Sequence, residues 1–553
     1  MSVALDLQRV EQLWDEYALP ALKSFVEIPA RSPHFDAKWQ ENGHLDAALE
    51  LGKQFCLTHL PDAQAEIVRL PGRTPLLFVD VPATGGGATA GETAATGSAG
   101  AETAVASGAT KGGASEVGEA PAGASTAGAS TAGAATAGAA TAGAATAGAA
   151  TAGAATAGAS TTGAATAGEA APTALIYGHF DKQPENTGWS PGLDPWQPVV
   201  RDGKLYGRGA VDDGYSLFSA VIAIAALREE GQAHSRCVLV IETCEESGSF
   251  DLLAYLDELS ERIGQPDLVI CPDAGCGTYD RLWCTTSLRG MVSGTLRVDV
   301  LGEGVHSGDA GGVVPSSFRV LRALISRLED EQSGKILPQH CNVAIPELRR
   351  QQAVHAGEVL GEITKDRFPF LEGVEAQSDD PAERILDRSW RAAVEVIGAE
   401  GLPPVEAAGN VLRPYTATKL ALRLPPTADG HAVAQELERL FTVEPPANAR
   451  VEFEVDAVAN GWAAPQPSAW LTSALERAAQ AYYGKEPVHM GEGGTIPFMS
   501  WLQERFPSAD YVVTGVAGPG SNAHGPDEFL HLDAARRLTA SMGEVVAGLA
   551  KSR

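Results

Sequence analysis

The chain has 553 residues, which is too long for one compact core, so at least two domains are expected. It carries 41 basic and 70 acidic residues and a formal net charge of −29. Such an acidic surface repels nucleic acid and anionic lipid, so neither is an expected partner.

The N-terminal segment, MSVALDLQRVEQLWDEY, is charged throughout and has no apolar core of the kind that signal peptides need. No uncharged apolar run reaches the roughly 18 residues of a membrane span. The seven cysteines form no CxxC pair, which is typical of reduced thiols. A cytoplasmic protein without a membrane anchor is therefore expected.

Residues 84–172 consist mainly of Ala, Gly, Thr and Ser in a repeating TAGAA unit, with no aromatic residue. A stretch that cannot bury apolar area cannot offset its ordering entropy, so we predict a disordered insertion. Strand-like runs flank it at 76–81 (LLFVDV) and 173–177 (TALIY), and we predict a surface loop that has expanded between neighbouring strands.

After the insertion, short apolar strands alternate with helices. The predicted elements are a strand in TALIYGHFD, a helix at 214–229, a strand at 237–243, a helix at 250–263 and a strand at 267–271. This alternation predicts an α/β fold whose mostly parallel sheet has helices on both faces.

The pattern then changes to half-exposed strands. Strands are predicted at 294–301, 416–424 and 450–458, with helices at 316–330 and 430–441. This indicates a smaller α+β domain inserted into the first, because the earlier pattern resumes near residue 468 and includes a strand at 510–516. We predict domain limits of 1–288 and 463–553 for the large domain and 289–462 for the inserted one.

Residue types that bind metals gather where the predicted parallel strands end, which is where open α/β sheets place their sites. They are His179, Asp181, Asp212, Asp213, Glu245, Glu246, Asp273 and His524. Nitrogen and oxygen ligands of this kind suit Zn²⁺, Mn²⁺ or Co²⁺.

A series of motifs resembles peptidase family M20, the dinuclear zinc hydrolases, and most closely its carnosinase-like dipeptidase branch. In chain order the motifs are YGHFDKQP, DGKLYGRGAVDDG, CEESGS, ICPDAG, RGMVSG, GVHSGDAGG, LALRLPP, GEGGTIP and AHGPDEF. The resemblance covers essentially all of the chain outside the insertion. It implies a zinc-peptidase-like catalytic domain, with residues 289–462 as a lid and dimerisation domain.

The resemblance also implies a role for each residue at the strand ends. His179 and Asp273 would bind one metal ion, Glu246 and His524 the other, and Asp212 both. Glu245 would be the general base for a water shared by the two metal ions. The resemblance implies two divalent ions per subunit, with Zn²⁺ as the expected metal and Mn²⁺ or Co²⁺ as alternatives. Asp181 would tune the site.

Residues of the inserted domain and of the GEGGTIP motif match family positions that contact substrate. His306 resembles a histidine that stabilises the tetrahedral oxyanion and commonly comes from the other subunit of a dimer. Asn410, Arg423 and Thr495 match substrate-binding positions, with Arg423 expected to bind a terminal carboxylate. A homodimer formed through the inserted domain is therefore expected, with a small peptide as the substrate.

These observations predict a metal-dependent hydrolase of dipeptides or short peptides. Asp273 favours an aminopeptidase or dipeptidase, because many deacylase and carboxypeptidase branches have Glu there. An N-acyl-amino-acid amidohydrolase is the alternative on the same fold. A non-catalytic scaffold whose repeat binds partners is a third hypothesis.

Overall fold

The computed structural model describes residues 4–85 and 171–552. Of the predicted disordered insertion, only Thr84, Gly85, Ala171 and Pro172 belong to this described part, and the rest of that prediction lies outside the described residues.

A nine-stranded sheet forms the centre of the larger part of the fold. Eight of its strands lie side by side in the order Gln64–Val68, Leu76–Val81, Arg236–Glu242, Thr173–His179, Leu268–Cys271, Asp510–Val513, Trp283–Leu288 and Trp462–Ala463, and Val488–Glu492 also pairs with Trp283–Leu288. The four strands from Arg236–Glu242 to Asp510–Val513 are parallel to one another, whereas the strands at the Gln64 edge are antiparallel. The predicted α/β architecture with a mostly parallel central sheet is thus confirmed.

Successive residues of the central strands face opposite sides of this sheet, as the pleat requires. Leu239 and Ile241 belong to one apolar core, and Val238 and Val240 belong to another. Because each side has its own core, the sheet is covered by helices on both faces, and its strands are apolar at almost every position.

The α-helices range from one turn to five turns. They are Leu7–Leu13, Leu19–Glu27, Trp39–Asn42, His44–His59, Tyr215–Glu229, Leu252–Glu258, Ser260–Ile263, Ser307–Ala310, Ser317–Leu328, Glu347–Leu360, Ile363–Asp366, Pro381–Ser389, Gly430–Thr442, Ala469–Tyr483, Pro497–Arg505 and Leu532–Ala550. Two short π-helical segments, Trp14–Ala18 and Ala210–Gly214, and four 3₁₀ segments, Glu245–Ser247, Gln339–Cys341, Val405–Ala407 and Pro446–Asn448, complete the helical structure of the described residues.

The two strands that flank the insertion are not neighbours, so that prediction was wrong. Strand Arg236–Glu242 lies between Leu76–Val81 and Thr173–His179 and pairs with both. A sequence cannot reveal this arrangement, because the strand inserted between the other two comes about 60 residues later in the chain.

A second sheet has four antiparallel strands in the order Ala393–Glu400, Tyr415–Leu424, Gly290–Asp299 and Arg450–Ala459. Helices Ser317–Leu328 and Gly430–Thr442 cover one face through a core that includes Leu324 and Leu437. The chain passes from one sheet to the other beside Arg289 and returns near Asn460. The domain limits given above stay a prediction.

Two shorter sheets lie outside these two. Three strands, Phe529–His531, Lys204–Tyr206 and Val199–Arg201, form one of them, and Val305–His306 pairs with Val411–Leu412 in the other.

Within the described residues, the segment Ala210–Glu229 is long and apolar enough to span a membrane. However, 89% of its most apolar window is buried inside the protein. Core packing therefore accounts for its composition.

Candidate metal centre

The predicted metal-binding side chains come from the ends of four parallel strands and from one helix entrance. His179 is the last residue of its strand, Asp273 follows Leu268–Cys271, and Glu245 and Glu246 follow Arg236–Glu242. The list is completed by His524, in the loop after Asp510–Val513, and by Asp212, just before helix Tyr215–Glu229. Because the strands are parallel, their carboxyl ends meet at one edge of the sheet.

Asp212 lies between the two histidines. Its Oδ1 is 3.2 Å from Nε2 of His179, and its Oδ2 is 2.8 Å from Nε2 of His524. On the His179 side, Asp273 Oδ2 lies 3.8 Å from the same Nε2. On the His524 side, Glu246 Oε2 lies 3.3 Å from Nε2 of His524.

Two groups of possible metal ligands result, and they share Asp212. In the group His179, Asp212 and Asp273, and in the group Asp212, Glu246 and His524, one donor atom from each residue lies within 4.8 Å of the others. Imidazole nitrogens and carboxylate oxygens are donors that suit Zn²⁺, Mn²⁺ and Co²⁺. The donor set therefore fits a pair of divalent cations.

The two groups differ in their access to solvent. The His179 side chain is fully buried, whereas the His524 side chain is 54% exposed. A small molecule can therefore approach the centre from the His524 side.

Asp181 and Gln183 hold the ligand loops in place. The carboxylate of Asp181 accepts hydrogen bonds from the backbone N–H groups of Glu245 and Glu246, at 3.1 and 3.0 Å. Its Oδ1 also lies 3.4 Å from Nδ1 of His179. Gln183 donates to Oε2 of Glu246 at 2.6 Å, a contact that the sequence analysis missed.

The centre holds more negative charge than its own histidines offset. Burial, together with neighbouring carboxylates, raises the pKa of Glu246 and of Asp273 well above their usual range. Burial opposes protonation of His179, but its hydrogen bonds with Asp181 and Asp212 raise its pKa well above the usual value. A bound cation would relieve the same repulsion, since it favours the ionised carboxylates.

Glu245 adjoins the centre without belonging to either ligand group. Burial and the neighbouring carboxylate of Asp212, opposed by His179, raise its pKa to about 7. A carboxylate that gains and loses a proton near neutral pH is suited to general acid–base chemistry.

A buried ion pair behind the centre was not predicted. Arg208 donates to Oε2 of Glu528 at 2.5 Å, and Oε1 of Glu528 accepts from the backbone N–H groups of Gly209 and Val211. Arg208 also donates to the carbonyl oxygens of Pro184 and Gly525. The pair thus links the loops that carry Asp181, Asp212 and His524. Both residues lie in motifs quoted above, but no local pattern pairs residues 320 positions apart.

The residue predicted to stabilise the oxyanion and the predicted substrate-binding residues take part in two separate sets of contacts. Arg423 donates to Oγ1 of Thr495 at 2.8 Å. Exposed His306 pairs across a two-residue ladder with Val411, and the N–H of Ser307 donates to the carbonyl of Asn410. Within the part of the chain that the structure describes, no hydrogen bond or ion pair joins His306 or Asn410 to the metal centre.

A family model described as "Peptidase family M20/M25/M40" matches residues 175–547. The chain is 30% identical over 363 residues to the cysteinylglycine-S-conjugate dipeptidase of Corynebacterium striatum, a match that covers 65% of this chain and 77% of that relative. It is 26% identical over 351 residues to the Beta-Ala-His dipeptidase of Homo sapiens, covering 60% of this chain and 66% of that relative.

The fold is similar to that of a solved structure. The crystal structure of human carnosine dipeptidase 1 superimposes with a TM-score of 0.65 at 18% identity, over 99% of this chain and 98% of that one. This likeness supports the same two-part architecture, in which a catalytic domain carries a smaller lid domain.

Proposed function

The chain belongs to peptidase family M20/M25/M40, and from this premise we propose that it is a metal-dependent dipeptidase. The observation that carries the proposal is the sharing of Asp212 by two groups of ligand-type residues. The relatives reported above, whose names describe dipeptidases acting on small substrates, support the same substrate class.

His179 and Asp273 would hold one divalent ion, Glu246 and His524 the other, and Asp212 both. We propose Zn²⁺ as the native metal, with Mn²⁺ and Co²⁺ as ions that the same donors accept. When bound, such a pair lowers the pKa of a shared water and polarises the carbonyl of the scissile amide.

The residues around the metals would move the proton and fix the geometry. Glu245 takes a proton from the attacking water on its carboxylate and then gives it to the nitrogen of the leaving amine. Asp181 holds the backbone of Glu245 and Glu246, so it positions the base and one ligand together.

Substrate would be held by Arg423 and Thr495 at its terminal carboxylate, and by Asn410. The guanidinium group of Arg423 has no ion-pair partner among the described residues, so it is available to a carboxylate of the substrate. His306 would stabilise the oxyanion, and its separation from the metal centre supports the idea that it acts across a homodimer.

The homodimer would form through the lid domain. Strand Ala393–Glu400 lies at the edge of the four-stranded sheet, with Val396 and Ile397 more than half exposed. Exposed apolar side chains on an unpaired edge favour pairing with a second chain. We also propose that the enzyme acts in the cytoplasm, without a nucleic-acid or membrane partner.

Two other functions make different predictions. An N-acyl-amino-acid amidohydrolase would hydrolyse N-acetylated amino acids, whereas a dipeptidase prefers a dipeptide with a free amine over its N-acetylated form. A non-catalytic scaffold would hydrolyse neither. The names of the reported relatives favour the dipeptidase, and the paired assay separates all three.

The test of the proposal is the substitution Glu245→Gln in protein loaded with Zn²⁺, Mn²⁺ or Co²⁺. We expect kcat on dipeptides to fall by about 10²- to 10⁴-fold, because the proton acceptor is lost while the metal ligands remain. Metal content, measured by elemental analysis, should stay at two ions per chain.

Glu476→Gln, an exposed substitution of the same type, serves as the control and should leave kcat unchanged. The proposal fails if no divalent ion binds or if Glu245→Gln keeps the wild-type rate.

A further inference from the structure

Three arginines gather where the lid meets the GEGGTIP loop, and none has an ion-pair partner among the described residues. They are Arg289 between the two large sheets, Arg388 on helix Pro381–Ser389 and Arg423 on strand Tyr415–Leu424. All three are partly buried. Their hydrogen bonds go to neutral acceptors, such as the Gly493 carbonyl for Arg289 and the Met490 sulfur for Arg388.

Two of these arginines, Arg289 and Arg388, lie close to the same residue, Gly493. A Cβ atom built on Gly493 would lie 3.0 Å from Cγ of Arg388 and 3.2 Å from Nη2 of Arg289. The loop therefore needs a residue without a side chain here. Thr495, the partner of Arg423, lies two residues further along, so one loop carries contacts to all three arginines.

Arg289 and Arg388 line a cavity of about 2020 Å³. Its lining also includes Asn522 and Ala523, which directly precede His524. The cavity that holds these two guanidinium groups thus borders the loop that carries His524.

Two other arginines of this cavity are neutralised, whereas Arg350 and Arg367, which also line it, are exposed to solvent. Arg384 forms an ion pair with Glu362, and Arg391 with Glu383 and Asp387. Carboxylates are plentiful in a chain with a net charge of −29, yet among the described residues none forms an ion pair with Arg289 or Arg388, although Glu492 lies near enough to Arg388 to raise its pKa. Burial above all, and neighbouring arginines, lower the pKa of both groups to about 10, because charged groups lose hydration when buried and close positive charges repel each other.

We infer that Arg289 and Arg388 bind a second carboxylate of the substrate, so that this enzyme prefers dipeptides with an acidic C-terminal residue. The inference rests on the proposed dipeptidase function, in which Arg423 and Thr495 hold the terminal carboxylate. A side chain of Asp or Glu then supplies the anion that the other two guanidinium groups lack, in the geometry that favours paired hydrogen bonds.

The first experiment compares Ala-Glu with Ala-Gln, which have nearly the same shape but differ in one charge. For the metal-loaded enzyme we expect kcat/KM on Ala-Glu to exceed that on Ala-Gln about tenfold, the gain from a charged hydrogen-bonded contact. Equal values overturn this inference and leave the dipeptidase proposal intact. If neither dipeptide nor any other is hydrolysed, both proposals fail.

The second experiment measures the same ratio in variants. Arg388→Gln should bring the Ala-Glu to Ala-Gln ratio close to one, and Arg388→Lys should retain part of the preference. Arg289→Gln provides a second, independent substitution if Arg388→Gln does not fold. Arg384→Gln is the matched control, since Arg384 lines the same cavity but is paired with Glu362, and it should keep the wild-type ratio.

A third measurement tests whether Arg289 and Arg388 bind an anion other than a substrate carboxylate. Inorganic phosphate is added as an inhibitor of Ala-Gln hydrolysis. Weak inhibition that Arg388→Gln leaves unchanged agrees with a site for substrate carboxylates. Strong inhibition that disappears in Arg388→Gln, with no preference for Ala-Glu, assigns the arginines to phosphate and overturns the inference.

Discussion

Asp212 illustrates what can and cannot be read from a single residue. Its place in VDDG, at a helix entrance among strand-end ligands, predicted that it would adjoin the other metal-binding residues. The structure gives it one histidine on each carboxylate oxygen. Gln183 could not be predicted in the same way, because an amide next to a charged motif has no distinctive pattern until its partner Glu246 is in place.

The environment of His489 predicts that the protein is less stable in mild acid than at neutral pH. Burial, together with the nearby Arg349 and His355, lowers its pKa to about 4, whereas an unfolded histidine titrates near 6.5. Between these values the unfolded chain binds a proton that the folded chain does not. Stability therefore falls as the pH drops from about 6.5 to about 4.

The measurement is urea unfolding of wild type and His489→Gln at pH 7 and pH 4.5, both with chelator so that metal binding does not contribute. Between pH 7 and pH 4.5, the free energy of unfolding of wild type should fall by about 2 kcal/mol more than that of the variant. An equal loss in both proteins would show that His489 does not titrate as its burial indicates.

At the scale of elements, strand ends were predictable and their lateral order was not. Apolar runs located the strands that carry His179, Asp273 and Glu246 to within a few residues. The order in the sheet depends on pairing between distant segments, and the wrong neighbour assigned to Leu76–Val81 follows from this. The same limit concealed the Arg208–Glu528 pair, which connects loops from three elements.

Breaking this ion pair should loosen several loops at once. We expect Arg208→Met to lower the free energy of unfolding by about 3 to 5 kcal/mol, because it leaves the Glu528 carboxylate buried without its partner. Metal affinity should fall too, since the linked loops carry ligands. Urea unfolding and metal titration measure the two effects.

Arg505→Gln is the control, because Arg505 and its partner Asp257 are both solvent-exposed. This substitution should change neither the free energy of unfolding nor the metal affinity appreciably. The interpretation is wrong if Arg208→Met behaves like this control.

At the scale of the whole molecule, the chain leaves and re-enters the described fold beside one strand. The N–H of Thr84 donates to the carbonyl of His234, and the N–H of Arg236 donates to the carbonyl of Pro172. Replacing residues 86–170 by a linker of about six residues should therefore be possible without strain. We expect kcat/KM on dipeptides to stay within about twofold of wild type, because loop length adds little closure entropy. A large loss of activity in folded protein would contradict this prediction, whereas the scaffold hypothesis predicts that the shortened protein loses partner binding.

The dimer proposal is tested at the lid edge. Ile397→Asp places a charge on the exposed edge strand, and we expect light scattering after gel filtration to report a monomer. If His306 acts across the dimer, this monomer also loses most of its activity. Val405→Asp, at a side chain that is 91% exposed and outside that strand, is the control and should remain dimeric. A monomeric wild type would contradict the proposal.

The two ends of strand Arg236–Glu242 adjoin two parts of the protein whose sequences can change independently. Its first residue, Arg236, and His234 just before it bond to the chain on either side of residues 86–170, and its last residue precedes the loop of Glu245 and Glu246. Seven residues of strand span about 20 Å. Evolution can therefore lengthen, shorten or rewrite the repeat at one end while the chemistry at the other end stays under separate selection. An engineer could likewise graft a reporter or an affinity tag there.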